Sequence, residues 1–167
     1  ELFLKWESDE VDEVFEGWLS VLIEKQMLRQ EGDTILRPAA GSTQFVHLSI
    51  LSRFIIQTIE RYYISVAILI QNGSGKIDAS ELEKQSTLMA ERMSILFGLN
   101  APEFFDKALF RNFIGKLQEK QMVKLDSANR LIFGDEVNQV IDDARFVLNA
   151  ELRQAIMEVT ALDKKPI

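Results

Sequence analysis

Apolar residues at Val11, Val14, Phe15, Trp18, Leu19, Leu22 and Ile23 recur every three to four positions, the spacing that lines one side of a helix. Ser8 or Asp9 is placed to cap that helix, and Glu10, Asp12 and Glu13 complement the positive end of its dipole. The stretch MLRQEGDTILRP that follows has two short apolar pieces around Glu31-Gly32-Asp33 and predicts a hairpin. The same order returns later in the chain. EKQM at 24–27 is echoed by EKQM at 119–122, each closing a helix and entering a hairpin, with Leu36 and Leu131 both nine residues past the methionine. The two stretches read as one local motif used twice.

Between the copies, a helix is predicted from Thr43 to Gln71, capped by Ser42 or Thr43 and stopped by Asn72-Gly73-Ser74-Gly75. Its polar positions Ser49, Arg53, Gln57, Glu60 and Arg61 form one narrow stripe. Apolar residues fill most of the remaining circumference, so this helix must be nearly surrounded. It is not read as a membrane span, because its longest run without a charge, Tyr62 to Asn72, is well short of the ~20 residues a bilayer needs. Asp78, three residues before Glu81, opens a further helix that ends at Gly98. Asn100 is placed to cap the next, Ala101 to Gln121, with Pro102 in its first turn. Val137, Val140, Ile141, Ala144, Leu148, Leu152, Ile156 and Val159 mark one last long amphipathic helix.

The expected fold is mainly α, a helical domain with two short β-hairpin wings around a long central helix. Residues 1–41 supply a helix and hairpin packed on the rest, and 42–167 a helical domain with the second wing, together one compact unit. A helix followed by a two-stranded wing is a winged-helix-like element, so DNA binding has to be weighed. The helices before the wings lack a basic, base-reading face, and the wings are read as packing or protein-contact devices.

Charge and composition narrow the function classes. The net charge of −7 over 167 residues opposes the tracking of phosphates along nucleic acid, and equally the electrostatic capture of this chain at an anionic membrane. ELFLKWESDE carries acids where a secretory signal would be basic. With no cysteine there is no disulfide framework, thiol nucleophile or thiolate zinc site, and a single histidine leaves little for a transition metal. No cofactor or metal is expected.

The candidate chemistry is thin. His47 is the obvious general base, but it sits between Val46 and Leu48 in an apolar helix. Its fifth neighbour, where an aspartate would fix the imidazole tautomer, is Ser52. Ser74 in NGSGK lacks the spacing of a phosphate loop or a nucleophile elbow and reads as a turn whose glycines supply left-handed backbone. Asp135-Glu136 and Asp142-Asp143 are adjacent pairs, which diverge by about 100° on a helix and do not converge on one ion. Tyr62 and Tyr63 with Phe104, Phe105, Phe110 and Phe113 could form an aromatic pocket for an acyl chain. The spacing 105, 109, 113, 117 is that of an ordinary core stripe, which is the reading preferred. No catalytic, cofactor-binding or metal residue is assigned.

Three long blocks carry a resemblance: QTIERYYISVAILIQNGSG at 57–75, LMAERMSILFGLN at 88–100 and NAPEFFDKALF at 100–110, supported by ELFLKW and AAGSTQFVHLSILSR. Together they resemble the C-terminal region of the bacterial membrane-associated glycerol-3-phosphate acyltransferases. That family transfers an acyl group from acyl-CoA or acyl-carrier protein to glycerol 3-phosphate at the cytoplasmic face of the inner membrane. The resemblance implies a piece excised from a larger enzyme whose histidine and aspartate precede the matched region, so His47 inherits no role and this chain is expected to be inactive alone. Its implied partner is the N-terminal catalytic part of the same polypeptide, with the inner membrane and the acyl donors reached through the intact protein. Phe45, Phe54, Tyr62, Tyr63, Phe104 and Phe110 are the candidate docking residues, on the two helices with surplus apolar surface. The competing class is a winged-helix-like binding or adaptor module unrelated to catalysis.

Overall fold

A computed structural model describes residues 11–97 and 105–162. The elements run α1 (Val11–Glu24), β1 (Arg29–Glu31), β2 (Thr34–Leu36), α2 (Thr43–Asn72), α3 (Ala79–Phe97), α4 (Lys107–Glu119), β3 (Val123–Leu125), β4 (Leu131–Phe133), α5 (Asp135–Ala144) and α6 (Ala150–Leu162). The architecture is mainly helical with two small antiparallel hairpins, β1–β2 and β3–β4. Two compact units divide the chain, Glu1–Phe54 and Ile55–Ile167. The division falls inside α2.

In the first unit, Gln26 closes α1 in the left-handed region at φ 57°. Its N–H donates to the Ile23 carbonyl at 2.9 Å, and the Met27 N–H donates to the Leu22 carbonyl at 2.8 Å, the crossed pair of a Schellman ending. Met27 then leads into β1, paired with β2 so that Arg29 faces Leu36 and Glu31 faces Thr34. Of the two turn residues only Gly32 has positive φ, at +60°, as a type II′ hairpin turn requires at its first central position. Ser42 caps α2, its Oγ accepting the Phe45 N–H at 3.1 Å. None of the described residues of this unit is fully buried.

The second unit contains the core. In α2, Tyr63 through Leu69 are buried without interruption, packed among Leu82, Met89 and Met93 of α3, and Phe110 and Ile114 of α4. Ser65 and Ser86 are both fully buried, and the hydroxyl of Ser65 donates to that of Ser86 at 2.9 Å, so each small polar side chain is satisfied by the other helix. Arg61, expected on the polar stripe, is only 5% exposed. It lies at the edge of the enclosed half, with Nη2 donating to the Thr58 hydroxyl at 3.3 Å and its guanidinium 5.7 Å from the Tyr62 ring centre. A delocalised guanidinium is weakly hydrated and tolerates such a position better than an ammonium would.

The second EKQM repeats the first. Gln121 has φ 57° and donates to the Gln118 carbonyl at 3.0 Å, as Gln26 does to Ile23. The β3–β4 loop is longer, held by the Asp126 carboxylate accepting N–H groups from Ala128 and Arg130, with Asn129 at φ 61°. The NGSGK turn spends its polar groups on β4. The Gly75 N–H donates to the Leu131 carbonyl, the Leu131 N–H to the Ile77 carbonyl, and the Ser74 hydroxyl accepts the Phe133 N–H at 2.9 Å.

Two helix boundaries differ from expectation. The described helix α4 starts at Lys107, where the Asp106 carboxylate accepts the Ala108 N–H at 2.8 Å; Asn100 and Pro102 lie outside the described residues. A side chain that satisfies a free helix N–H in this way favours an end over a continuing helix. The single long terminal helix is two helices. Leu148 and Val147 donate back to Ala144, and Asn149 then caps α6 by accepting the Glu151 N–H at 2.8 Å. The helix from Ser8 or Asp9 begins its described part at Val11, so its cap also lies outside.

Glu83 clamps α3 to α4. Its buried carboxylate accepts from Arg111 Nε at 2.8 Å and Nη2 at 3.1 Å, and Lys107 lies 3.2 Å away. The hydrogen bond from Arg111 holds the Glu83 carboxyl below its ordinary value of 4.5 against the opposing effect of burial, and Lys107 reinforces it. A carboxyl depressed on folding stabilises above its unfolded pKa, and that stability is lost as pH falls through the folded value. Both cations are largely exposed, so solvent screens the interaction and its net contribution is small. Glu83→Gln is therefore expected to lower unfolding stability slightly at pH 7 and to make its decline below pH 4.5 shallower, as read by urea unfolding across pH. An unchanged acid limb would mean that the clamp contributes no net stability.

Candidate functional site

Two apolar features remain after the core is assembled. The first lies in the first unit. Val46, Ile50 and Phe54 recur at four-residue spacing on α2, flanked by Leu51, and all four are exposed, Phe54 at 77%. On α1, Phe15 and Trp18 are 62% and 63% exposed, although they belong to the stripe the sequence assigns to a packed side. Large aromatic and branched residues left in water at helical spacing form a face that a partner can dehydrate. The acidic groups Asp12, Glu13 and Glu16 occupy other positions of the same helix, α1.

The second feature is a groove of about 390 Å³ within the second unit. One wall is α2, through Ile59, Tyr62, Tyr63 and Val66. Phe113 and Leu117 of α4 form another, and the Tyr62 and Phe113 rings stack across the junction at 4.2 Å with 8° between their planes. Val137, Val140 and Ala144 of α5 close the far side, with Val147 just beyond it. The charged lining residue is Asp143. Burial raises the pKa of the Tyr63 phenol, with Arg153 opposing, so the phenol stays neutral at physiological pH.

The six expected docking residues separate. Phe54 is exposed, and Phe45 and Tyr62 are half-buried. Tyr63 and Phe110 are core residues at 4% and 0%, because α2 is enclosed at Tyr63 and because Phe110 points between α4 and that enclosed segment. Phe104 lies outside the described residues. Val46, Ile50 and Leu51 were legible as apolar but not as exposed, since periodicity identifies a face without saying what covers it. The α5 wall of the groove carries no local signal, being brought to α2 across the chain.

His47 is exposed on α2, and the Ser52 hydroxyl donates to the Ser49 carbonyl of its own helix at 2.9 Å. Among the described residues, no three or more metal-capable side chains converge, and no helix is long and apolar enough to cross a membrane.

The family profile described as glycerol-3-phosphate acyltransferase C-terminal region matches residues 1–126. A glycerol-3-phosphate acyltransferase of Pseudomonas aeruginosa (strain LESB58) is 45% identical over 160 residues, covering 95% of this chain and 19% of its own length. That of Ectopseudomonas mendocina (strain ymp) is 45% identical over 165 residues, covering 98% and 20%. The chain thus spans about a fifth of the length of the curated relatives it matches. No solved structure matches.

The two phenylalanines at the extremes of exposure give a direct check of this placement. Phe110→Ala is expected to cost about 3–5 kcal/mol of unfolding stability, and Phe54→Ala to change it by no more than about 0.5 kcal/mol, measured by chemical denaturation. Similar losses for both would contradict it.

Proposed function

The chain belongs to the glycerol-3-phosphate acyltransferase C-terminal region family, and from that premise we propose that it is a non-catalytic docking domain, seated through its first unit on the rest of its polypeptide. The observation that carries this is the exposure of large apolar residues on α1, Phe15 and Trp18, and on the N-terminal part of α2, Val46, Ile50, Leu51 and Phe54. The family description names a C-terminal region and the chain covers about a fifth of the relatives' length, which leaves a large remainder of such a protein for these residues to contact. Tethering places that polypeptide at an effective concentration of the order of millimolar beside this face, and a modest apolar contact then suffices. The acidic balance disfavours an anionic lipid surface as the occupant.

In this account the acyl transfer from acyl-CoA or acyl-carrier protein to glycerol 3-phosphate, and peripheral attachment at the cytoplasmic face of the inner membrane, belong to the intact protein. The DNA-reading or adaptor alternative is not favoured, because the family assignment points to an enzyme.

The purified chain is expected to form no lysophosphatidate from acyl-CoA, and His47→Gln in the intact enzyme to leave turnover within about a few-fold, where loss of a general base costs about a hundredfold or more. The chain should bind the separately expressed remainder equally in low and high salt, and Phe54→Asp should weaken that binding at least about tenfold. Binding abolished by moderate salt, or indifferent to Phe54→Asp, would overturn the docking assignment.

A further inference from the structure

The two EKQM hairpins differ in what lies along their outer strands. Counted from the left-handed Gln26 and Gln121, Arg29 corresponds to Lys124 and Gln30 to Leu125. Their strand partners are Leu36 and Ile35 in the first hairpin, and Ile132 and Leu131 in the second. Register therefore equates Ile35 with Leu131 and Arg37 with Phe133, the longer second loop absorbing the extra residues.

In the second hairpin an extended segment of the same unit runs along β4. The Leu131 N–H donates to the Ile77 carbonyl and the Leu131 carbonyl accepts the Gly75 N–H, both at 2.8 Å. An antiparallel bridge joins Asp78 to Arg130, and the Ser74 hydroxyl accepts the Phe133 N–H at 2.9 Å.

The same edge of the first hairpin is bare among the described residues. A two-residue turn makes its flanking pair, Glu31 and Thr34, the hydrogen-bonded one, so the next pair turns the N–H and C=O of Ile35 outward. Those of Arg37 follow two residues on. The sheet ends at β2, and neither outward N–H has a partner among the described residues. Ile35 is 39% exposed, where Leu131 is fully buried. Free edges are ordinarily blunted by a charge, a proline or a bulge, and Thr34-Ile35-Leu36 carries none of these.

The arrangement of donors and acceptors selects the occupant. N–H and C=O groups repeating every second residue are matched by another extended backbone, whereas a hydrocarbon chain or a small anion cannot meet them all. A helix has already spent its own backbone groups internally. An edge this short offers few bonds, so its occupant has to be held nearby, as residues 75–78 are held beside β4 by the turn that leaves α2. The chain covers about a fifth of its relatives' length, and the remainder of such a protein is tethered in the same way.

We propose that the first hairpin is completed by strand addition: an extended segment from the remainder of the same polypeptide pairs with the outward backbone of Ile35 and Arg37, as residues 75–78 pair with β4. This rests on the reading that the remainder seats on the first unit, and it adds a backbone contact to the exposed side chains of α1 and α2.

Hydrogen–deuterium exchange at single-amide resolution tests it, comparing the 167-residue chain alone, at two concentrations, with the full-length enzyme that contains it. The Ile35 and Arg37 amides are expected to exchange at least about tenfold more slowly in the full-length enzyme, while Gly32 and Asp33 in the turn stay fast. The Leu131 amide, bonded to Ile77, should be slow in both settings. Equal rates for Ile35 and Arg37 in the two settings would overturn the proposal. So would comparable slowing of Gly32 and Asp33, which marks a hairpin merely covered over. Slowing in the chain alone that grows with concentration would assign the edge to a second copy and overturn it too. Side-chain protection of Phe54 without protection of the Ile35 amide would sink strand addition and leave the docking reading standing. The reverse pattern would contradict docking through α1 and α2 while leaving the added strand in place.

Discussion

A helix buries consecutive residues only when other elements enclose its whole circumference, and α2 does so from Tyr63 through Leu69. Most of the second unit can be derived from that requirement. Helices α3 and α4 cover this segment, Ser65 and Ser86 satisfy each other where polar side chains would otherwise be stranded, and Glu83 ties the two covering helices together through Arg111 and Lys107. The turn leaving α2 is fixed to β4 through Ser74, Gly75 and Ile77, so the second hairpin also helps hold the end of the enclosed helix. Each fully buried Ile or Leu contributes about 1.5–3 kcal/mol, far more than the exposed ion pairs.

The same helix is different toward its N-terminus. Before Ile56, Val46, Ile50, Leu51, Phe54 and Ile55 stand in water while Phe45 and Leu48 are half-buried, and the first unit has no fully buried residue among those described. Val46, Ile50, Leu51 and Phe54 stay apolar where none of the described residues buries them, which is what the proposed docking on a surface supplied from elsewhere requires. The relatives, five times longer or nearly so, offer a ready source for that surface.

What was legible in the sequence follows from the range of the interactions involved. The EKQM echo, the Ser42 cap, the Asp78 cap and the Gly32 turn are local, and each appears where the residues placed it. The break between α5 and α6 was hidden because Ala144, Leu148, Leu152 and Ile156 keep a four-residue spacing straight through it, with no Gly or Pro to mark the interruption. Asp106 was read as one more helical residue although its carboxylate is a cap. Burial was harder still. Arg61 belongs to the polar stripe of α2 and Phe54 to its apolar circumference, yet the first is enclosed and the second exposed, because enclosure depends on elements distant in sequence. The groove was half visible, in Tyr62, Tyr63 and Phe113, while its α5 wall was not.

The central claim is that α2 is enclosed by its own unit at one end and left for the rest of the polypeptide at the other. Hydroxyl-radical footprinting of the aromatic side chains, compared between this chain alone and the full-length enzyme that contains it, tests that claim most directly. Phe15, Trp18 and Phe54 should be oxidised readily in the chain alone and protected in the full-length enzyme, with Phe110 protected in both. Equal oxidation of Phe54 and Trp18 in the two settings would contradict the account.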